Sequence, residues 1–448
     1  GYGCMIAMTF NKYFDNPFRT FNPNSDFNAD PNFIGYYVVG MHMIGLVKWI
    51  TDQCEERKVN KIHFLARDGF LPLHAYQIWN ADSKDTIKAD YMYASRKAVM
   101  TGMITSKVDF YNLPIEYHNH SPKTLLKVLE FAAEELSEKE KIKICKDYKI
   151  DYEKVFTEYQ EYIHFIELFL DKIYNEKIFK KNQNLAKEYY SKIKEDDITF
   201  DMGYSGRIQN AISQLAGHGV DVLFVHQEVG KAEKMKRMGE YKIVNYYDFT
   251  PCVSGLLREH ILSDYRAGCS SFECVDGVVL PKLSEERKNF QDIFVVDTIQ
   301  KNALQMVADF KNIFKKYIEY VPFRTMEVSF PFEGYLRNSS YLDRKVFAAS
   351  YFEDMVYGGC DQIKIEDFIN YTIPYVADEN RERYAVPVDN ILFMMKNKSL
   401  FTKAFVIFCV DKRAFRHLVG EKIKRNHCLY SIGKKGVKLY DKLFLHKL

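Results

Sequence analysis

The stretch DITFDMGYSGRIQNAISQLAGHGVDVLFV, residues 197–225, decides the fold class. It opens on a short apolar run, Asp197–Phe200, which two glycines interrupt at Gly203 and Gly206. A segment with helical spacing follows, and the apolar run VDVLFV at 220–225 closes it. Short apolar runs bounded by turn residues read as buried strands, and the intervening period reads as a helix. Strand, helix, strand is the pattern of a parallel sheet covered by helices. The expected fold is α/β: a Rossmann-like parallel sheet with a helical insertion and a mostly helical C-terminal region.

The same alternation continues on both sides. KIHFLA at 61–66 reads as a buried strand, Gly69–Trp79 as a helix and Asp90–Ala94 as a second strand. Before them, Gly35–Lys58 carries apolar residues at helical spacing and reads as one long, mostly buried helix. The stretch up to Pro31 is rich in Asn, Asp, Phe and Pro and reads as turns packed by aromatics. Residues 121–194 are helical in period, with Glu and Lys outward and breaks near Asp151 and Asn175, as in a helical cap. YKIVNYYDF at 241–249 predicts another strand, and a helix follows near Ser254–Ser263. Beyond Pro281 the pattern is again largely helical, above all over Glu285–Tyr317. At 448 residues the chain exceeds what one core holds. The expected division is an α/β domain from 1–120 and 195–280, a helical insertion at 121–194, a helical domain at 281–390 and a tail at 391–448.

Composition narrows the class. Hydrophobic content of 47% with 27% charge is that of a globular protein. The 32 Tyr and 34 Phe against 2 Trp fit an AT-rich codon usage better than an aromatic binding surface. Nine cysteines without a CxxC pair exclude a zinc ribbon and a thioredoxin-type motif and suit a reducing, cytoplasmic compartment. No run of 18 apolar residues predicts a membrane-spanning helix, and no secretory signal is expected. The sequence opens on Gly1 instead of Met, which leads us to expect a chain that begins inside a longer protein.

Charge is unevenly placed. Residues 391–448 carry 14 Lys+Arg and 3 Asp+Glu, a net of +11; subtracting these from the totals of 63 and 60 leaves −8 for the body. A basic tail on an acidic body suits an anionic partner such as a membrane face, a polyphosphorylated lipid or nucleic acid; a solvated basic face is the plain alternative. Within it, SLFTKAFVIFCVDKRAFRHLVGEKIKR joins an apolar stretch to a basic run, as in segments lying against the inner membrane face. The tail has no zinc-finger or RRM signature, so nucleic acid is the least favoured partner.

Phosphate sites in open α/β sheets lie at the carboxyl ends of strands, where the next helix offers free backbone N–H groups. Two segments qualify. In the first, Arg67-Asp68-Gly69 follows HFL: Arg67 can hold a phosphate bidentately, Asp68 can ligate Mg²⁺ or act as an acid or base, and Gly69 permits a tight turn. In the second, Asp201 sits at the strand end, Gly203 and Gly206 allow close backbone approach, and Ser205 offers a hydroxyl at a helix N-cap, with Tyr204 and Arg207 beside it. Ser95 and Arg96, just after DYMYA, form a third anion contact; a capping Ser with a solvated Arg is the plain reading. His118-Asn119-His120 lacks an acidic or Cys partner in its loop and makes a poor metal site. His260 is a lone helical His, more often structural than catalytic. Cys269 and Cys274 read as buried, inert thiols.

Taken together, IGYYVVGMHMIGLVKWI, HFLARDGFLP, YMYASRKA, FDMGYSGRIQ and, more loosely, REHILSDYRAGCSSF resemble bacterial predicted hydrolases of the haloacid dehalogenase (HAD) superfamily found in surface-polysaccharide gene clusters. The resemblance spans roughly residues 15 to 275, in five segments in the expected order. It implies polysaccharide biology more strongly than phosphatase activity, because the family's Asp-x-Asp-x-Thr nucleophile motif usually lies in an upstream domain and is missing from this chain. Aligned on the strand, Ala66 stands where the nucleophilic Asp belongs, Ser95 where the second-motif Ser/Thr belongs, and Asp201 where the acidic Mg²⁺ ligand belongs. Without that carboxylate no aspartyl-phosphate forms, and with Asp68 as nucleophile the second Asp would be Phe70.

Two functional classes lead from this. One is a Mg²⁺-dependent phosphoryl-transfer hydrolase using Asp68 and Asp201, with Arg67 and Arg96 neutralising a sugar-phosphate or sugar-nucleotide ligand. The other is a non-catalytic module that binds such a ligand and partners a glycosyltransferase at the membrane.

Overall fold

The computed structural model describes residues 1–365 apart from 16, 19, 24, 84–86, 228–240, 250, 252–254, 285–288, 355 and 357–359. The basic tail, and with it the expected membrane segment, lies outside the described residues.

Five strands form one sheet: β1 Lys61–Leu65, β2 Lys88–Met92, β3 Asp197–Tyr204, β4 Asp221–Gln227 and β5 Ile243–Asn245. All are parallel, in the order β2-β1-β3-β4-β5. The chain is α/β. β2 ends two residues earlier than the sequence pattern suggests, because the Tyr93 N–H donates to the Tyr189 hydroxyl instead of a neighbouring strand. From β1 the chain winds one way to β2, then returns to the other side of β1 with β3, so the winding reverses between β1 and β3.

In chain order the main helices are α1 Tyr2–Tyr13, α2 Pro31–Glu56, α3 Phe70–Asn80, α4 Pro122–Val128, α5 Glu138–Asp147, α6 Tyr159–Leu168, α7 Glu176–Tyr190, α8 Arg207–Ala216, α9 Gly255–Leu262, α10 Phe290–Phe314 and α11 Phe330–Asn338. Strand alternation sends Ile62, Phe64, Ile198, Phe200, Leu223 and Val225 to one face, where α2, α3 and α10 complete the largest core. Leu65 and Met92 join a smaller core with Tyr190 of α7 and Ile212 and Leu215 of α8. α2 is long and apolar enough to cross a membrane, but 83% of its apolar window is buried within the fold. It reads as a core helix. At Gly35 it meets α10 backbone to backbone: a Cβ there would stand 2.3 Å from the Ile299 carbonyl oxygen.

The helices between β2 and β3 have their own core, built on Phe110, Leu125, Phe165, Phe169 and Phe179. Met100, Ile104 and Phe110 belong to it too, so this unit draws on residues before 121. The region after Pro281 is not wholly helical. β6 Cys269–Val275 and β7 Val278–Leu283 form an antiparallel hairpin that straddles the expected boundary at 280. Its two-residue turn, Asp276-Gly277, has φ of +51° and +78°, the left-handed pair that a tight hairpin requires. A second antiparallel pair, β8 Tyr351–Asp354 and β9 Cys360–Lys364, follows further on.

Candidate functional site

Beyond β1 the chain turns at once. The Gly69 N–H donates to the Leu65 carbonyl at 2.7 Å and the Phe70 N–H to that of Arg67 at 3.1 Å, setting Arg67 and Asp68 over the strand end. Gly69 is needed here for space: its φ is an ordinary −77°, but a Cβ would meet the Leu65 oxygen at 2.7 Å.

Asp68 is held from far along the chain. The Ser263 hydroxyl, one residue past α9, donates to Asp68 Oδ1 at 2.5 Å. Ser263 is fixed in turn by α10, where Gln300 Nε2 donates to its carbonyl at 2.8 Å. The next residue ties the same strap to the turn, since the Asp264 N–H donates to the Arg67 carbonyl at 3.0 Å. Arg266 pairs with Asp264 at 2.8 Å and lies over the Phe70 ring, 4.9 Å from its centroid.

Asp201 comes from β3, the strand beside β1, and only 7% of it is exposed. Its Oδ1 accepts the Met202 N–H at 2.8 Å. Burial, then repulsion from Asp68, pushes its pKa up to about 8, against the pull of the Met202 N–H and the Arg96 charge. The Asp68 pKa is also raised, by burial, while Ser263, Arg67 and Arg96 favour its ionised form. Asp68 is half-buried, so part of its surface still meets solvent while protein crowds the carboxylate. Two carboxylates that disfavour each other's charge will share a proton or a cation.

Arg96 is exposed, and its charge acts on both carboxylates. Ser95 has structural duties: it donates to the Cys269 carbonyl at 2.6 Å and accepts the Ala98 N–H at 3.0 Å. The chain leaves β3 through left-handed backbone, with φ of +104° at Gly203, +71° at Tyr204 and +67° at Gly206. A Cβ on Gly203 would stand 2.2 Å from the His226 carbonyl oxygen. Ser205 does not cap α8: the left-handed Gly206 takes that position, and no side chain caps the helix. Arg207 is exposed on the first turn.

Other residues singled out in the sequence fall elsewhere. His260 pairs with Asp292 at 2.8 Å, and Ser350 also donates to that carboxylate. His118 does have an acidic partner, Glu116 at 3.1 Å, but on the surface; His120 is buried with Nε2 at the Val356 carbonyl. Among the described residues no group of three His, Cys, Asp or Glu is placed to hold a metal. Cys269 is buried and its thiol pushed up to about 12, whereas Cys274 is exposed, contrary to its sequence reading, because the end of the hairpin from Glu273 to Val278 is exposed on both faces.

Sequence reasoning missed Ser263 and Arg258. Arg258 is 1% exposed and makes a bidentate pair with Glu333 of α11, which also accepts the Tyr247 hydroxyl at 3.0 Å. Only the segment REHILSDYRAG, in which both stand, carried any signal for them.

The described residues thus define an α/β protein with a carboxylate pair at the point where its sheet reverses winding. No family model and no curated protein matches the chain.

Proposed function

We propose that this site binds a phosphorylated ligand of the sugar-phosphate or sugar-nucleotide type, in a Rossmann-like, HAD-like domain serving surface-polysaccharide assembly. The observation that carries the reading is the meeting of Asp68, just past the carboxyl end of β1, with Asp201, inside β3 and level with that end, flanked by Arg67 and Arg96. Ligands of open α/β sheets bind at such a reversal. Arg67 and Arg96 draw the phosphate in, and Asp68 and Asp201 would hold Mg²⁺. The donor set suits that ion: Mg²⁺ typically takes one or two carboxylates and fills the rest of its shell with water and phosphate oxygens. When bound, it would offset the repulsion between the carboxylates and polarise a phosphoryl oxygen. Without metal, burial and the Asp68 charge favour a proton on Asp201 at neutral pH, and bound Mg²⁺ would displace it; Ser263 and the arginines oppose the effect of burial on Asp68.

Calorimetric titration with Mg²⁺ and a panel of sugar phosphates and sugar nucleotides tests this, beside Asp68→Asn and Asp201→Asn. Binding lost in both variants supports the site; binding that persists in both removes it.

Ala66 favours a second reading, binding without turnover. Its methyl stands where the resemblance places a nucleophilic carboxylate, leaving no group there to carry a phosphoryl intermediate. Release of inorganic phosphate from a bound sugar phosphate would count against this reading.

A further inference from the structure

Beside the carboxylate pair stand two polar groups with nothing to do. The Tyr204 hydroxyl and the Gln227 side-chain amide nitrogen are buried and donate to no acceptor among the described residues; the Arg258 guanidinium that bears on the Tyr204 hydroxyl is itself a donor. Tyr204 ends β3, Gln227 ends β4, and the two are register partners, so they sit side by side at the carboxyl edge of the sheet. Gln227 is only 7% exposed. Buried polar groups are nearly always paired, and leaving one unpaired costs about 1–3 kcal/mol. Two adjacent unpaired donors at the carboxyl edge of a parallel sheet, where ligands of such sheets bind, are the pattern left when the partner is a ligand.

The backbone agrees. Tyr204 has φ of +71°, a conformation that bulky side chains rarely adopt and that collects at functional sites. Its ring is wedged in place: it lies edge-on to His226, with centroids 6.2 Å apart, and a Cβ on Gly255 of α9 would come within 2.9 Å of it. The hydroxyl therefore stands at a fixed point, close enough to Asp68 for that charge to act on it.

We propose that Tyr204 and Gln227 form a subsite for the neutral, hydroxyl-bearing part of the ligand, next to the phosphate position at Arg67 and Arg96. This rests on the phosphorylated-ligand reading above. The chemistry of the subsite is uncharged: Arg258 beside Tyr204 is neutralised by Glu333, at 2.7 Å. A phenol and a carboxamide donate to sugar hydroxyl and ring oxygens without the charge that a phosphate needs. The subsite adds discrimination for the sugar, because a buried donor left unpaired penalises any ligand lacking the matching oxygen.

The test compares inorganic phosphate with glucose 1-phosphate and galactose 1-phosphate, each with Mg²⁺, on wild type, Tyr204→Phe and Gln227→Met. A sugar phosphate should bind wild type more tightly than phosphate does. Each variant should lose roughly tenfold of that sugar phosphate affinity, keep its phosphate affinity, and melt at or above the wild-type temperature, since each loses a buried unpaired donor. Melting several degrees lower would make these side chains structural and overturn the proposal, as would unchanged sugar phosphate affinity. Phosphate bound by wild type with no gain from either sugar would sink the subsite and leave the phosphate reading standing. Binding of neither phosphate nor sugar phosphates would take both down.

Discussion

Ser263 reaches across 195 positions of sequence to donate a 2.5 Å hydrogen bond to Asp68. The bond favours the ionised form of a carboxylate that burial otherwise pushes toward its neutral form. Ser263 thereby opposes what burial does to the charge of Asp68.

Replacing Ser263 with Ala removes that support. The Asp68 pKa should rise further, and the pH at which Mg²⁺ binding half-saturates at fixed metal should move upward. At neutral pH the affinity should fall about tenfold, since a hydrogen bond to a charged group contributes roughly 1.5–3 kcal/mol. Metal titrations from pH 5 to 9 check this; an unmoved profile would show that Ser263 only packs against Asp68.

Asp201 predicts the opposite of ordinary acid denaturation. Its pKa is about 8 folded and close to 3.8 unfolded. Below pH 4 both states hold the proton. Between pH 4 and 8 the folded state keeps a proton that the unfolded chain has lost, so stability falls as pH rises, and the loss is complete above pH 8. Asp201→Asn should flatten this decline, gaining roughly 2–4 kcal/mol on wild type between pH 5 and pH 8.5 without metal. Parallel urea midpoints for the two proteins across that range would refute it.

The Arg258–Glu333 pair ties α9 to α11 with neither side chain more than 4% exposed. Removing one partner strands a buried charge, so Glu333→Leu alone should cost about 3–5 kcal/mol. The double variant Arg258→Met, Glu333→Leu should recover most of that loss. Denaturant unfolding of the single and double variants closes the cycle, and simple additivity would mean that the pair is uncoupled.

Thiol labelling separates the cysteines of the hairpin. Cys274 and Cys4 are exposed and should alkylate within minutes in the native protein. Cys54, Cys145 and Cys269 are buried, with thiols pushed up to about 12, 11 and 12, and should react only after unfolding. Peptide mapping by mass spectrometry reads the order; rapid native labelling of Cys269 would contradict its burial at the base of the hairpin.

Gly35 carries the contact between α2 and α10. A methyl there meets the Ile299 backbone, which cannot rotate aside, so Gly35→Ala should destabilise the protein by about 1–3 kcal/mol. A variant as stable as wild type in urea would show that the two helices can separate.

Periodicity made the sheet legible. KIHFL and ITFDM are short apolar runs next to turn residues, too short for helices and rich in Ile, Thr and Phe, which favours buried strands. The end of β1, with Asp68, followed from the same signal; β3 does not end at Phe200 as expected but runs on through Asp201 to Tyr204, because its ladder with β4 continues to Gln227. The β6–β7 hairpin is also written in the sequence: strand character near Cys269 and Cys274 leads into Asp276-Gly277 between valines, but the helical period beyond Pro281 masks the second strand. For Ser263 and Arg258 the sequence marked only the segment REHILSDYRAG, not their partners Asp68 and Glu333. Their roles depend on which distant segment packs beside them, and no local spacing encodes that.

The reversal at the carboxylate pair also orders events during synthesis. β1 leaves the ribosome soon followed by β2, but its other neighbour begins at Asp197, beyond the whole helical unit. Until then one edge of β1 stays open, and open strand edges invite pairing with other chains. The helical unit, with a core of its own, can fold meanwhile and shield its aromatics. Asp68 gains Ser263 and the Gln300 anchor later still, so a nascent chain carries its carboxylates well before it carries a working site.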